Sequence, residues 1–187
     1  MGQVSIDKPA LIQQISTTIG KLKVLELSRI LKEQQFALRD LIDITFHPDK
    51  NIAFRAAWLL ENIFLKHPES FLPDMEYLLG KIHEVKYPSC QRHYAKIVMH
   101  LTGKKMPKLI KDKLQTVNFE PIIEQLFEWL ISPGVKIAVK VFAAEALFNL
   151  REQYDWIKEE LVNQLQYLMR DGSAAIQSRG KRLLCKL

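Results

Sequence analysis

The sequence predicts an all-α fold: an α-α superhelix, built as a short right-handed solenoid of about four to five helix pairs. Three observations carry this expectation. Apolar residues recur with a helical period almost everywhere, and strand alternation is almost absent. Only seven of the 187 residues are glycine, and helix formers dominate the composition. The same short pattern also returns after successive breaks in the chain, which is how a repeat array shows itself.

Taken in order, a first helix is expected from about Asp7, an N-cap candidate followed by Lys8 and Pro9, to Thr18, with Gly20 as its stop. A second is expected over roughly 22–33 and a third over 35–45. The third ends at His47-Pro48, where proline disfavours helix at the residue before it and is well placed to open the next one.

The segments that follow such breaks resemble one another. Four residues after Pro48 the chain reads Ile52-Ala53-Phe54-Arg55, and four after Pro133 it reads Ile137-Ala138-Val139-Lys140. Four after Gly172 it reads Ile176-Gln177-Ser178-Arg179. A looser copy follows Pro88, with Arg92 and then Ala95, Ile97 and Val98. Its cation sits four positions past the proline rather than seven. Amphipathic segments suited to the first helix of a pair precede the copies, over 36–45, 75–85, 120–131 and 155–169. The cations at 55, 92, 140 and 179 are spaced by 37, 48 and 39 residues. Two of these spacings lie near the period of about 40 residues found in stacked helix pairs. The longest holds an insertion that begins Gly103-Lys104-Lys105-Met106-Pro107-Lys108 and runs to Lys113.

This pattern resembles the HEAT repeat and its armadillo relatives, in which a proline or aspartate in the turn precedes a β-branched residue, a basic residue and an Ala/Leu-rich second helix. The resemblance covers about residues 35–187. It implies one HEAT-like domain over 1–187, with an N-terminal capping helix pair at 6–33. Repeats are expected at 35–66, 69–102, 117–151 and 153–187, with a Lys-rich insertion at 103–116. One helix pair cannot bury its apolar stripe alone, whereas stacked pairs share a core.

Charge narrows the function classes. The net charge is +6, yet residues 81–113 carry nine Lys/Arg against Glu84 and Asp112, and residues 170–187 carry five against Asp171. The stretches 1–80 and 114–169 are mildly acidic, so the basic character sits in two patches. No run of 18 apolar residues is present, and the first residues form no signal-peptide or myristoylation pattern. Two cysteines, Cys90 and Cys185, make no disulfide framework and fit a reducing compartment, so a cytoplasmic location is expected.

The candidate binding residues are Arg55, Arg92, Lys140 and Arg179, together with Trp58 and the lysines Lys104, Lys105 and Lys108. A cation recurring once per repeat could face an acidic ligand. It could equally meet a carboxylate or helix C-terminal carbonyls of a neighbouring pair, and the repeat itself favours that structural role. The lysines of 103–113 suit phosphate contacts or a solvated linker helix. Trp58 follows Arg55 by three residues and suits base stacking, although all three tryptophans occupy positions fit for the core. His83, Cys90, His93 and His100 cluster in sequence, but no carboxylate or second cysteine completes a metal set, so no metal or cofactor is expected.

No phosphate-binding glycine loop or nucleophile elbow is present, and no catalytic residue is assigned. The loop of the all-α lyases is absent; the HEAT-like DNA glycosylases match the architecture more closely, but their catalytic Trp/Asp constellation is not evident in the sequence. The reading that follows is a non-enzymatic scaffold that binds a protein or extended peptide. Nucleic-acid binding through 81–113 and 170–187 is the alternative, including a DNA-glycosylase-like form of it.

Overall fold

A computed structural model describes residues 6–17, 26–27 and 36–187. The expected stop at Gly20 lies outside these residues. So does the expected helix over 22–33, apart from Glu26 and Leu27, which are helical. Among the described residues every regular element is helical, and the one β feature is an isolated backbone bridge between Ile6 and Phe36. The chain divides into two compact units, Met1–Tyr94 and Ala95–Leu187.

In the first unit, α1 (Lys8–Thr17) begins as the sequence predicts, with Asp7 Oδ1 accepting the Ala10 amide at 2.9 Å. The second described helix, α2 (Leu38–Ile44), starts later than the expected residue 35. Phe36 is engaged in the bridge to Ile6, and Ala37 is extended at φ −75°, ψ 119°, so neither can join the helix. The cap of α3 (Lys50–Lys66) is Asp49, whose Oδ1 accepts the Asn51 amide at 2.7 Å. Pro48 therefore stays outside the helix it was expected to open, and its carbonyl accepts Tyr87 Oη at 2.7 Å.

The small residues Ala53, Ala56 and Ala57 of α3 are fully buried, and α3 packs on both α1 and α2. Alanine at such positions lets helix axes approach toward the short end of the 8–10 Å range. The expected helix over 75–85 is broken into α4 (Met75–Gly80) and a 3₁₀ turn over Ile82–Glu84. Gly80 ends α4, consistent with its low helix propensity. A 3₁₀ segment, Pro68–Asp74, precedes it and buries Phe71 edge-on against Phe64, with ring centroids 5.3 Å apart. Burying side chains of this size contributes on the order of 1.5–3 kcal/mol each.

The unit boundary falls within α5 (Pro88–Leu101), where proline does open the helix. The second unit continues with α6 (Lys108–Leu114), α7 (Glu120–Ile131), α8 (Ile137–Leu150), α9 (Asp155–Arg170) and α10 (Ala174–Leu184). The bounds of α7 and α9 agree with the amphipathic segments read from the sequence. Helix α8 packs on α7, α9 and α10 and buries Val139, Ala143, Ala144, Ala146 and Leu147. Gly180 permits a close approach of α10 to α9, since a Cβ there would overlap Met169 Sδ. The Lys-rich insertion is more than a solvated linker, because it contains α6, whose Ile110 is wholly buried.

One core assignment needs correction. Trp129 is buried, but Trp156 is 49% exposed and stacks on Phe127, with centroids 5.5 Å apart. Trp156 is the second residue of α9, and the adjacent Ile157 occupies the core instead.

Candidate functional site

In the first unit, Arg55 lies one turn into α3, half-buried, and reaches back to the end of α1. Its Nη1 donates to the Ser16 carbonyl at 2.5 Å and lies 3.5 Å from the Ile15 carbonyl. The last carbonyls of a helix lack intrahelical donors and carry its negative dipole end, so a guanidinium there is stabilising. Arg92 does not share these partners. Its Nη2 lies 3.4 Å from His93 Nε2 on its own helix.

His93 is fully buried, and its Nδ1 meets Glu61 Oε2 of α3 at 2.5 Å. The ring tilts against Phe54 at 5.6 Å, and Phe54 in turn stacks on Trp58 at 5.7 Å. Trp58 is thus half-buried in a stack formed by its own unit, and its carbonyl accepts Asn62 Nδ2 at 2.8 Å. Among the described residues no three His, Cys, Asp or Glu side chains converge in a way that could hold a metal ion.

In the second unit, Arg179 of α10 is paired with Glu145 of α8, and Arg182 Nη2 lies 2.6 Å from both oxygens of the same carboxylate. Glu145 thereby neutralises part of the basic patch at 170–187. Lys140 is different. It is only 5% exposed, no described residue pairs with its Nζ, and burial holds its ammonium below the usual lysine range.

Lys140 lines a cleft of about 410 Å³ between the start of α8, the end of α9 and the start of α10. Arg170, Asp171, Gly172 and Ser173 form the turn that closes it, and Ile137, Tyr167 and Ile176 are its apolar lining. Lys104, Lys105 and Lys108 are exposed on the insertion, and Lys111 Nζ folds back onto the Lys104 carbonyl at 2.7 Å.

The chain matches the HEAT repeat domain family over residues 11–187. It belongs to that family. No curated protein and no solved structure matches it. The cations that recur after the breaks do not share one helix register, and the structure separates them by what they meet. Arg55 and Arg179, each six residues past the cap of its helix, are spent on helix carbonyls and a carboxylate of their own units, whereas Lys140, four residues past Lys136, the cap of α8, has no described partner.

The Glu61–His93 pair and the two-arginine clasp on Glu145 were not evident in the sequence. Glu61 and His93 lie 32 residues apart on different helices, and Glu145 follows Lys140 by five positions in a helix otherwise read as Ala-rich core. The closest signal was the lone carboxylate in each of these apolar second helices. No described helix is long and apolar enough to cross a membrane.

Proposed function

We propose that this HEAT repeat chain is a non-enzymatic scaffold that binds a protein or extended peptide in the cytoplasm. The observation that carries the reading is the exposed apolar and aromatic surface of the second unit: Tyr167 at 66%, Trp156 at 49% and Ile137 at 40%. Large aromatics left in water beside cations are what protein interfaces enrich, and they are costly to leave uncovered. Its two cysteines are both free thiols, in keeping with a reducing compartment.

The test is partner capture from native lysate with the wild-type chain and with a Trp156→Glu/Tyr167→Glu variant whose helical circular dichroism is unchanged. Recovery of a stoichiometric partner by the wild type and its loss from the variant supports the scaffold. Equal recovery by both overturns the assignment of this surface.

A second reading rests on Lys104, Lys105 and Lys108, three exposed cations with no described partner. They suit phosphates better than the 170–187 patch does, because Glu145 offsets Arg179 and Arg182 there. Retardation of duplex or single-stranded nucleic acid, steeply weakened by salt and by Lys104→Gln/Lys105→Gln/Lys108→Gln, supports this reading. No retardation at low salt sinks it.

A further inference from the structure

Lys140 stands apart from Arg55 and Arg179, because no described residue pairs with its Nζ. It is only 5% exposed, and its desolvation, which lowers its pKa, is not offset by any described carboxylate or carbonyl. Lys140 lines an open cleft.

The same cleft is lined by the N-terminus of α10, an eleven-residue helix whose cap residue, Ser173, makes no side-chain capping bond. The first bond of the α10 ladder runs from the Gln177 amide to the Ser173 carbonyl at 2.9 Å, which leaves the amides of Ala174, Ala175 and Ile176 as orphan donors. A buried cation and an uncapped helix N-terminus facing one cavity are complementary to an oxyanion. Both recognise the same charge.

We infer that the Lys140 cleft is an oxyanion pocket that takes one side-chain carboxylate of an acidic peptide, with Lys140 Nζ and the first-turn amides of α10 as its donors. This rests on the scaffold reading and gives its partner a chemistry. The charge of the cleft selects among anions. Lys140 and the exposed Arg170 oppose the exposed Asp171, leaving one net positive charge, which one carboxylate balances and a phosphate dianion exceeds.

The rim selects the carrier. Ile137 and Tyr167 stand exposed on either side, and the Arg170 guanidinium lies 5.9 Å from the centroid of the Tyr167 ring. An acidic side chain flanked by apolar residues matches this arrangement of a charged floor between apolar shoulders. Gly172 fixes the shape of the turn, because a Cβ there would overlap the Leu168 carbonyl oxygen and the Ile176 side chain.

The experiment is an amide-resolved NMR titration of the full chain with three probes. These are a blocked peptide with one glutamate between leucines, the same peptide with glutamine in place of glutamate, and inorganic phosphate. Saturable shifts of the amides of residues 173–177 are expected with the glutamate peptide, and binding at least about tenfold weaker is expected with the glutamine peptide, the equivalent of about 1.4 kcal/mol. Lys140→Met should abolish the shifts, while Asp171→Asn should tighten binding severalfold.

Equal binding of the two peptides overturns the proposal without any variant being needed. Binding of phosphate alone overturns the carboxylate assignment. Unchanged binding by a folded Lys140→Met chain overturns the pocket. If that variant still captures the lysate partner through Trp156 and Tyr167, the scaffold reading stands and only the pocket falls.

Discussion

Glu61 on α3 and His93 on α5 meet at 2.5 Å between Oε2 and Nδ1, with both side chains withdrawn from water. Within the first unit they join two helices that the sequence separates by two 3₁₀ segments and a short helix. Two ionisable groups in a low-dielectric interior persist because each satisfies the other, and the Phe54 ring covers the imidazole. Their geometry makes them a fastening between helices.

Removing one partner should therefore cost far more than removing both. Glu61→Leu is expected to lose about 3–5 kcal/mol, the usual penalty for stranding one member of a buried pair. Glu61→Leu/His93→Leu should regain a large part of that loss. Urea unfolding of the single and double variants gives the coupling directly. A Glu61→Leu midpoint equal to wild type would mean that the pair contributes nothing.

A second junction in the same unit is set by Asp43 of α2. Its Oδ2 accepts Lys8 Nζ at 2.7 Å from α1, and its Oδ1 accepts Tyr77 Oη at 2.5 Å from α4. Burial pushes the Asp43 carboxyl up, but the hydrogen bonds from Lys8 and Tyr77 and the charges of Lys8 and Lys81 outweigh it and hold the carboxyl below its ordinary value of 3.8. A depressed folded-state value means that the carboxylate stabilises the fold above pH 3.8 and that this contribution is lost as pH falls through the lower folded value. The stability difference between wild type and Asp43→Asn should be constant near pH 6 and close as the pH drops below 3.8. A difference that persists undiminished at pH 2 would remove the linkage.

The two thiols should behave oppositely. Cys90 is wholly buried in the first turn of α5, and burial pushes its thiol up to about 11, against a smaller lowering by the Ser89 hydrogen bond. Cys185 is exposed just past α10. At pH 8 the native chain should release one equivalent of thionitrobenzoate rapidly, from Cys185, and the second only on unfolding. Rapid reaction of both thiols in the folded protein, or a fast equivalent that survives Cys185→Ser, would contradict the burial of Cys90.

The helical class was legible because it depends on a period that every amphipathic segment repeats, and α7 and α9 were bounded closely for the same reason. The second helices were found through the proline or glycine breaks ahead of them. What the period does not encode is how each helix begins and what its polar residues meet. The late start of α2 depends on the bridge between Phe36 and Ile6, some thirty residues apart. The cap of α3 fell to Asp49 because an aspartate beside the proline competes better for a first-turn amide. The break after α4 and the exposure of Trp156 likewise depend on tertiary surroundings. The cations were legible as a recurrence, but their partners were not. Arg55 meets backbone carbonyls, which carry no sequence signal, and Arg179 meets a glutamate one helix pair earlier.

That difference among the recurring cations yields the sharpest test. Arg55→Met removes a charged hydrogen bond to the end of α1 and leaves the Ser16 carbonyl without its guanidinium, so a loss of about 1–2 kcal/mol is expected at this half-buried position. Arg179→Met should cost less, on the order of 0.5–1 kcal/mol, because Arg182 still holds both oxygens of Glu145. Lys140→Met removes a partly desolvated cation with no described partner and keeps nearly the same chain length, so stability should be unchanged or raised by up to about 1 kcal/mol. Urea midpoints of the three variants, measured under one buffer, decide the matter. If Lys140→Met is destabilised as much as Arg55→Met, then Lys140 is tied into the fold as Arg55 is and is not held open for an anion.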